Sequence, residues 1–250
     1  MICKEQLSFS FASRHIELCL DSFSTTRLSK GEPFPYAKSG DSKRISRHLD
    51  QFHISVWAEN SVARYWLHLL LSEDFTLRNL DKFFRSIWLE CCGHLSKFEI
   101  RGVNYFSSPF PDTEFDDRSM DVKLGDSSFL KAGDQLKYEY DFGTTTELEL
   151  KVISRRKRRA MAGSELKSRS GQLILLARND PPDIVCGKCR SRRAELVCPL
   201  CIWEENKGSW LCRECSKSHK CGVHHLRPIV NSPRVGLCGY TGEPLSLSSL

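Results

Sequence analysis

Between Cys186 and His225 the chain carries a ladder of metal-ligand residues: Cys186-x2-Cys189, Cys198-x2-Cys201 and Cys212-x2-Cys215, then His219, Cys221, His224 and His225. A two-residue gap lets both thiolates of a knuckle turn onto one ion, and Zn²⁺ takes four such nitrogen or sulfur donors in a tetrahedron. The six knuckle cysteines with His219 and the later histidines His224 and His225 predict two closed zinc sites. Closed sites hold a fold together and leave no position open to water or substrate. Free reduced cysteines would not pair so regularly.

Other chemistry is thinner. The run Arg155-Arg156-Lys157-Arg158-Arg159 puts five positive charges in a row, which suits a phosphate-binding patch, a targeting signal or a solvated loop. Asp112, Glu114, Asp116 and Asp117 crowd together without a fixed ligand spacing and read as a solvated acidic loop. His68 sits in an apolar strand pattern, where a hydrogen-bonded core histidine outweighs a ligand or base. There is no H-E-x-x-H, no phosphate-binding glycine run and no G-x-S-x-G, so no catalytic residue is assigned.

Composition sets the frame. With 250 residues, 40% hydrophobic and 27% charged, the chain has material for one or two domains with a real core. A formal net charge of +6 permits an acidic or nucleic-acid partner without requiring one. The clustering of cysteines into knuckles argues for a reducing compartment rather than a disulfide framework. No apolar run approaches the ~18–20 residues of a membrane span, and Arg14, His15 and Glu17 interrupt any signal-peptide core. These features predict a cytoplasmic protein.

The elements follow from periodicity. Residues 1–50 read as an extension, with a short helix or strand over Ser8 to Cys19 and a Ser/Lys/Gly/Pro linker over Leu28 to Arg47. His53 to Trp57 alternates around Ile54 and Val56. Arg64 to Leu71 is apolar on both faces and predicts a central strand. Thr76 is a natural N-cap for a helix whose buried face is Leu77, Leu80, Phe83, Phe84, Ile87, Trp88 and Cys91, with Arg78, Asp81, Lys82 and Arg85 in water and Gly93 at its C-cap. His94 to Ile100 predicts a strand and Gly102 to Tyr105 a turn. Tyr138, Tyr140 and Phe142, then Leu148, Leu150 and Val152, alternate as a hairpin about Gly143, and Leu173 to Ala177 is a last strand. The prediction is an α+β fold, a mixed or antiparallel sheet with one principal helix, over residues 51–180, and a zinc module with its tail over 181–250.

Tyr138-Glu139-Tyr140-Asp141-Phe142-Gly143 resembles the Y-x-Y-D-F-G signature of the plasmid pRiA4b ORF-3-like family. Upstream, Thr76-Leu77-Arg78-Asn79-Leu80 and His94-Leu95-Ser96-Lys97-Phe98-Glu99-Ile100 resemble that family's T-L-x-x-L helix and H-L-x-x-F-x-I strand in the same order. The likeness spans about 51–178 and implies an α+β domain without an established activity. The family's continuation G-D-x-W-x-H is replaced here by Gly143-Thr144-Thr145-Thr146-Glu147-Leu148.

The ladder is similar to B-box and related cross-brace modules, in which alternate pairs share an ion. That resemblance implies one zinc on Cys186, Cys189, Cys212 and Cys215. It implies another on Cys198, Cys201, His219 and either His224 or His225. A sequential arrangement stays open, with the first two knuckles on one ion and the third with His219 and Cys221 or a later histidine on the other. In either arrangement not all of Cys221, His224, His225 and Cys238 are needed, and two or more are spare.

The function predicted is a non-catalytic zinc-binding interaction or scaffold protein with a protein partner. Trp203 and Trp210 are candidate contacts or caps of the small zinc core. The alternative is a nucleic-acid-binding protein using Arg155, Arg156, Lys157, Arg158 and Arg159 with Arg190, Arg192 and Arg193.

Overall fold

The computed structural model describes residues 8–25, 50–60, 62–109, 118–126, 129–157, 172–204 and 208–242. The acidic residues Asp112 to Asp117, the linker from Leu28 to Arg47, and Arg158 and Arg159 lie outside them. The fold is α+β. Eight strands form one mixed sheet in the order β5-β4-β3-β6-β7-β1-β2-β8. In chain order these are β1 (Asp50–Glu59), β2 (Arg64–Ser72), β3 (Ser96–Ile100), β4 (Val103–Phe106), β5 (Arg118–Ser119), β6 (Gln135–Tyr140), β7 (Thr146–Lys157) and β8 (Leu173–Arg178). Neighbours are antiparallel except β4 and β5. Gly102 to Tyr105, expected as a turn, instead runs into β4 from Val103: the reversal is completed by Arg101 and Gly102, both at positive φ, and the chain pairs straight back on β3.

β2 lies between β1 and β8, as a strand apolar on both faces requires. Its Tyr65, Leu67, Leu69 and Leu71 join the main core. Trp66 and Leu70 pack instead with Leu176 against Ala12 and Ile16 of α1 (Phe9–Thr25). The open choice at Ser8–Cys19 therefore resolves as a helix, one longer than the principal helix foreseen, because the second apolar face of β2 needs a cover. His68 points to this side with no exposed surface. Its Nδ1 is 2.9 Å from His53 Nε2, and His53 Nδ1 is 2.5 Å from Glu17 Oε1. The carboxylate makes His53 Nδ1 the donor, so its Nε2 accepts from His68. This is a hydrogen-bonded core histidine.

The other face is covered by α2 (Leu77–Phe84), which continues as a π-helical turn over Arg85–Leu89. Thr76 caps it by accepting from the Asn79 N–H at 3.1 Å. The C-cap is Glu90, not Gly93, because the wider π turn ends the helix before Cys91. Asp81, expected in water, is buried. It accepts from Tyr138 Oη at 2.7 Å, Ser96 Oγ at 2.6 Å and Arg85 Nε at 2.9 Å. Arg85 is also drawn in, donating to Glu90, to the His94 carbonyl and to Ser96. Three polar partners offset the cost of taking that carboxylate out of water. The same bonds fix the segment 90–96.

Beyond the sheet, three short strands β9 (Leu196–Val197), β10 (Trp210–Leu211) and β11 (Arg227–Pro228) form a second sheet in the order β10-β9-β11. Ile184, Ala194, Val197, Trp210 and Val235 belong to the same buried cluster as the main core. The small sheet thus rests on the large one and adds only a small cluster of its own around Cys186, Leu211 and Cys212. Tail residues 231–240 return to the large sheet, where Arg234 has no exposed surface and meets Asp141 Oδ2 at 2.5 Å.

Candidate metal centres

The knuckles stand on the three-stranded sheet. Cys198 closes β9 and is the N-cap of α3 (Pro199–Trp203), which carries Cys201 in its first turn with Pro199 at N1. Cys212 closes β10 and is the N-cap of α4 (Arg213–Ser216), which carries Cys215. β9 and β10 are antiparallel, so the second and third knuckles leave from opposite ends of the ribbon. Cys198 N–H donates to the Ser209 carbonyl at 2.8 Å. Cys212 therefore lies three residues further along, about 10 Å away at strand rise. The first knuckle is stitched to that far end: Gly187 N–H donates to the Trp210 carbonyl and Glu195 N–H to the Leu211 carbonyl.

Two donor quartets result. Cys186, Cys189, Cys212 and Cys215 have their sulfurs within 4.8 Å of one another, and so do the donor atoms of Cys198, Cys201, His219 and Cys221. The arrangement is the cross-brace and not the sequential alternative. The fourth donor of the second quartet is Cys221. His224 and His225, expected as ligands, form a 3-10 turn with their ring centroids 4.0 Å apart and lie outside both quartets. Gly222, at φ 85, sits between and turns the chain away from the site.

The fit to zinc follows from bond lengths. Zn–S near 2.3 Å and Zn–N near 2.0–2.1 Å at tetrahedral angles require S···S of about 3.8 Å and S···N of about 3.5 Å. Cys189 and Cys212 sulfurs are 3.9 Å apart, Cys201 and Cys221 3.7 Å, and Cys201 Sγ and His219 Nε2 3.5 Å. These separations match the edges of such tetrahedra. The donor sets, all cysteine in the first quartet and three cysteines with a histidine in the second, are those that hold structural zinc.

The electrostatics point the same way. Bonds from Ser191, through its side chain and its backbone N–H, and from the Arg192 N–H bring the Cys189 thiol down to about 5. Burial and neighbouring thiols push Cys215 up to about 12. Cys201 is likewise pushed up to about 12, by burial and by Cys221 and Cys198. Crowded thiols make one another harder to ionise, and a divalent cation removes that conflict. Burial, helped by Lys220 and Lys188, lowers His219, which keeps its imidazole neutral and able to ligate.

A third gathering of donors lies away from the module. Cys91, Cys92, His94 and Cys238 also place their donor atoms within 4.8 Å of one another. Cys238 is 146 residues from Cys92, so no local spacing signals it.

The basic run is partly engaged. Arg155 Nε donates to Asp50 at 2.8 Å and its guanidinium lies 5.2 Å from the Phe52 ring centre, while Arg156 pairs with Glu17. Lys157 ends β7. Of the two tryptophans, Trp210 is buried in the core and Trp203 is 65% exposed. No helix among the described residues is long and apolar enough to cross a membrane.

No family model matches the chain, and no curated protein matches its sequence. Among solved structures it is similar to the crystal structure of a protein of unknown function, MM3350, from Methanosarcina mazei Go1. The identity is 20% and the TM-score 0.40, over 52% of this chain and 70% of that one. A likeness that slight bears on neither fold nor function.

Proposed function

We propose that this chain is a non-catalytic interaction protein whose C-terminal module is folded by two structural zinc ions. The observation that carries the reading is the pair of interleaved quartets at zinc-ligand spacing, each with four protein donors and hence no open coordination position. Small metal modules gain folding free energy from the ion, and this one has little interior apart from its share of the main core. Its outward face offers Leu200 and Trp203, three residues apart on α3 and 43% and 65% exposed. Exposed aromatic and aliphatic neighbours of this kind suit a protein partner. The order of the T-L-x-x-L helix, the H-L-x-x-F-x-I strand and the Y-x-Y-D-F-G hairpin supports membership of the pRiA4b ORF-3-like family for residues 51–180.

The test uses the full chain. Chelation should remove zinc, expose Trp210 and shift the chain's tryptophan emission to the red, a shift that Trp210→Phe should reduce. Trp203→Ala should leave zinc content and Trp210 burial intact while removing partners captured by in-cell crosslinking of the tagged chain. Unchanged partners would sink the interaction reading, and retention of the fold after complete zinc removal would sink the metal-folded one. Arg190 and Arg192 are exposed on the same module and carry the rival reading. Duplex or single-stranded nucleic acid bound with a steep salt dependence, and lost on neutralising those two arginines, would replace a protein partner with a nucleic-acid one.

A further inference from the structure

We propose that Cys91, Cys92, His94 and Cys238 bind a third zinc ion, one that staples the C-terminal tail to the large sheet and exchanges with solvent more readily than the two in the module. The proposal stands on different residues from the module sites. Sulfur separations are 3.8 Å for Cys91–Cys92 and 3.6 Å for Cys92–Cys238, against about 3.8 Å for a tetrahedral zinc site. His94 Nε2 is 2.9 Å from Cys92 Sγ and 3.2 Å from Cys238 Sγ. That is somewhat nearer than the ~3.5 Å a loaded site needs, so loading draws the half-buried imidazole outward by a few tenths of an ångström.

The backbone on both sides is built around these residues. Cys238 has φ 45, a left-handed conformation that L-residues seldom adopt, and it stands between Gly236 at φ 82 and Gly239 at φ 68. Such outliers persist where surrounding structure enforces them and concentrate at sites that need them. The surrounding structure here is the buried Arg234, bonded to Asp141, the Thr144 carbonyl and Thr146 Oγ1, together with Ser232 Oγ on the Trp88 carbonyl. On the opposite side the π turn ends the helix at Leu89, Arg85 holds Glu90 and the His94 carbonyl, and Gly93 at φ 77 folds His94 back over Cys92. Both strands of the staple are therefore anchored before any ion arrives.

Exposure separates this site from the others. Cys92 and Cys238 are exposed and neither Cys91 nor His94 is fully buried, whereas each module quartet has two buried cysteines and Cys189 is the one exposed donor between them. An ion held by two exposed sulfurs is open to chelators, and it closes a loop of 146 residues between the sheet and the tail. The site adds a metal-dependent clasp, more open to solvent than the module quartets.

The experiment is metal analysis of the full chain purified without added metal, with Cys92→Ser, Cys238→Ser and Cys201→Ser made singly. The wild type should carry three zinc ions, and Cys92→Ser and Cys238→Ser should each carry two with the circular dichroism and tryptophan emission of the folded chain retained. Competition with a chromophoric chelator should release one ion in a fast phase that both variants lack. Unchanged zinc in both variants, or a Cys92–Cys238 disulfide in freshly purified chain, would overturn the third site. Failure of the module reading looks different: Cys201→Ser would then leave the count unchanged while Cys92→Ser and Cys238→Ser still lowered it.

Discussion

Arg234→Met removes the cation that locks the tail to the hairpin. Arg234 is fully buried and Asp141 is 6% exposed, so the carboxylate is left in a dry place. Burial alone would raise the Asp141 carboxyl. The bonds from Thr144, Arg234 and the Gly143 and Thr144 N–H groups outweigh it and hold the group well below the usual carboxylate range. Removing one member of a buried ion pair costs about 3–5 kcal/mol. Thr144 Oγ1 at 2.6 Å and the Gly143 N–H at 3.1 Å still bond the stranded carboxylate, which places the expected loss near the lower end, about 3 kcal/mol. For a chain of this size that is roughly 6–12 °C in Tm. Urea unfolding of the zinc-loaded chain, followed by tryptophan emission and far-ultraviolet circular dichroism, measures it. Asp141→Asn with Arg234→Met should cost less than the sum of the single changes by at least ~1 kcal/mol, since the two groups touch. A loss under ~1 kcal/mol for Arg234→Met, or strict additivity, would refute the claim that this pair anchors the tail.

Three more expectations follow from individual residues. Burial, with the neighbouring His53, brings His68 down to about 3, so between the unfolded value near 6.5 and about 3 the unfolded chain binds a proton that the folded one does not. Stability is then present above pH ~6.5 and falls through that window by about 1.4 kcal/mol per pH unit, and His68→Leu should remove that slope in paired urea titrations at pH 6 and pH 4.5. Tyr138→Phe deletes the hydroxyl that donates to buried Asp81 and should cost about 1.5–3 kcal/mol by the same unfolding assay, the range for a hydrogen bond to a charged group. Gly236→Ala places a methyl against the Ile202 side chain at φ 82, so it should destabilise by about 1–3 kcal/mol and speed proteolysis of the tail. An alanine variant as stable as the wild type would show that the tail does not pack on α3.

What local spacing could dictate was legible in the residues. A two-residue gap makes a knuckle, a Thr before Leu77 makes a cap, and alternation over Tyr138 to Val152 makes a hairpin. Each of these depends on atoms a few bonds apart along one chain segment. The α+β class and the metal-ligand knuckles of the C-terminal region were therefore readable directly. The partners of the segments were not. Whether the second knuckle meets the first or stands opposite it depends on the antiparallel run of β9 and β10, which puts Cys198 and Cys212 at opposite ends. Asp81 looks solvent-facing by helical period, yet Tyr138, Ser96 and Arg85 converge on it from three other segments. Arg155 and Arg156 look like a free basic patch until Asp50 and Glu17 arrive from 105 and 139 residues away. Cys221 replaced the histidines because the turn at Gly222 carries His224 and His225 past the site. The gathering of Cys91, Cys92, His94 and Cys238 is the extreme case: pairings across 146 residues are set by the path of the whole chain, and only the packed core fixes that path.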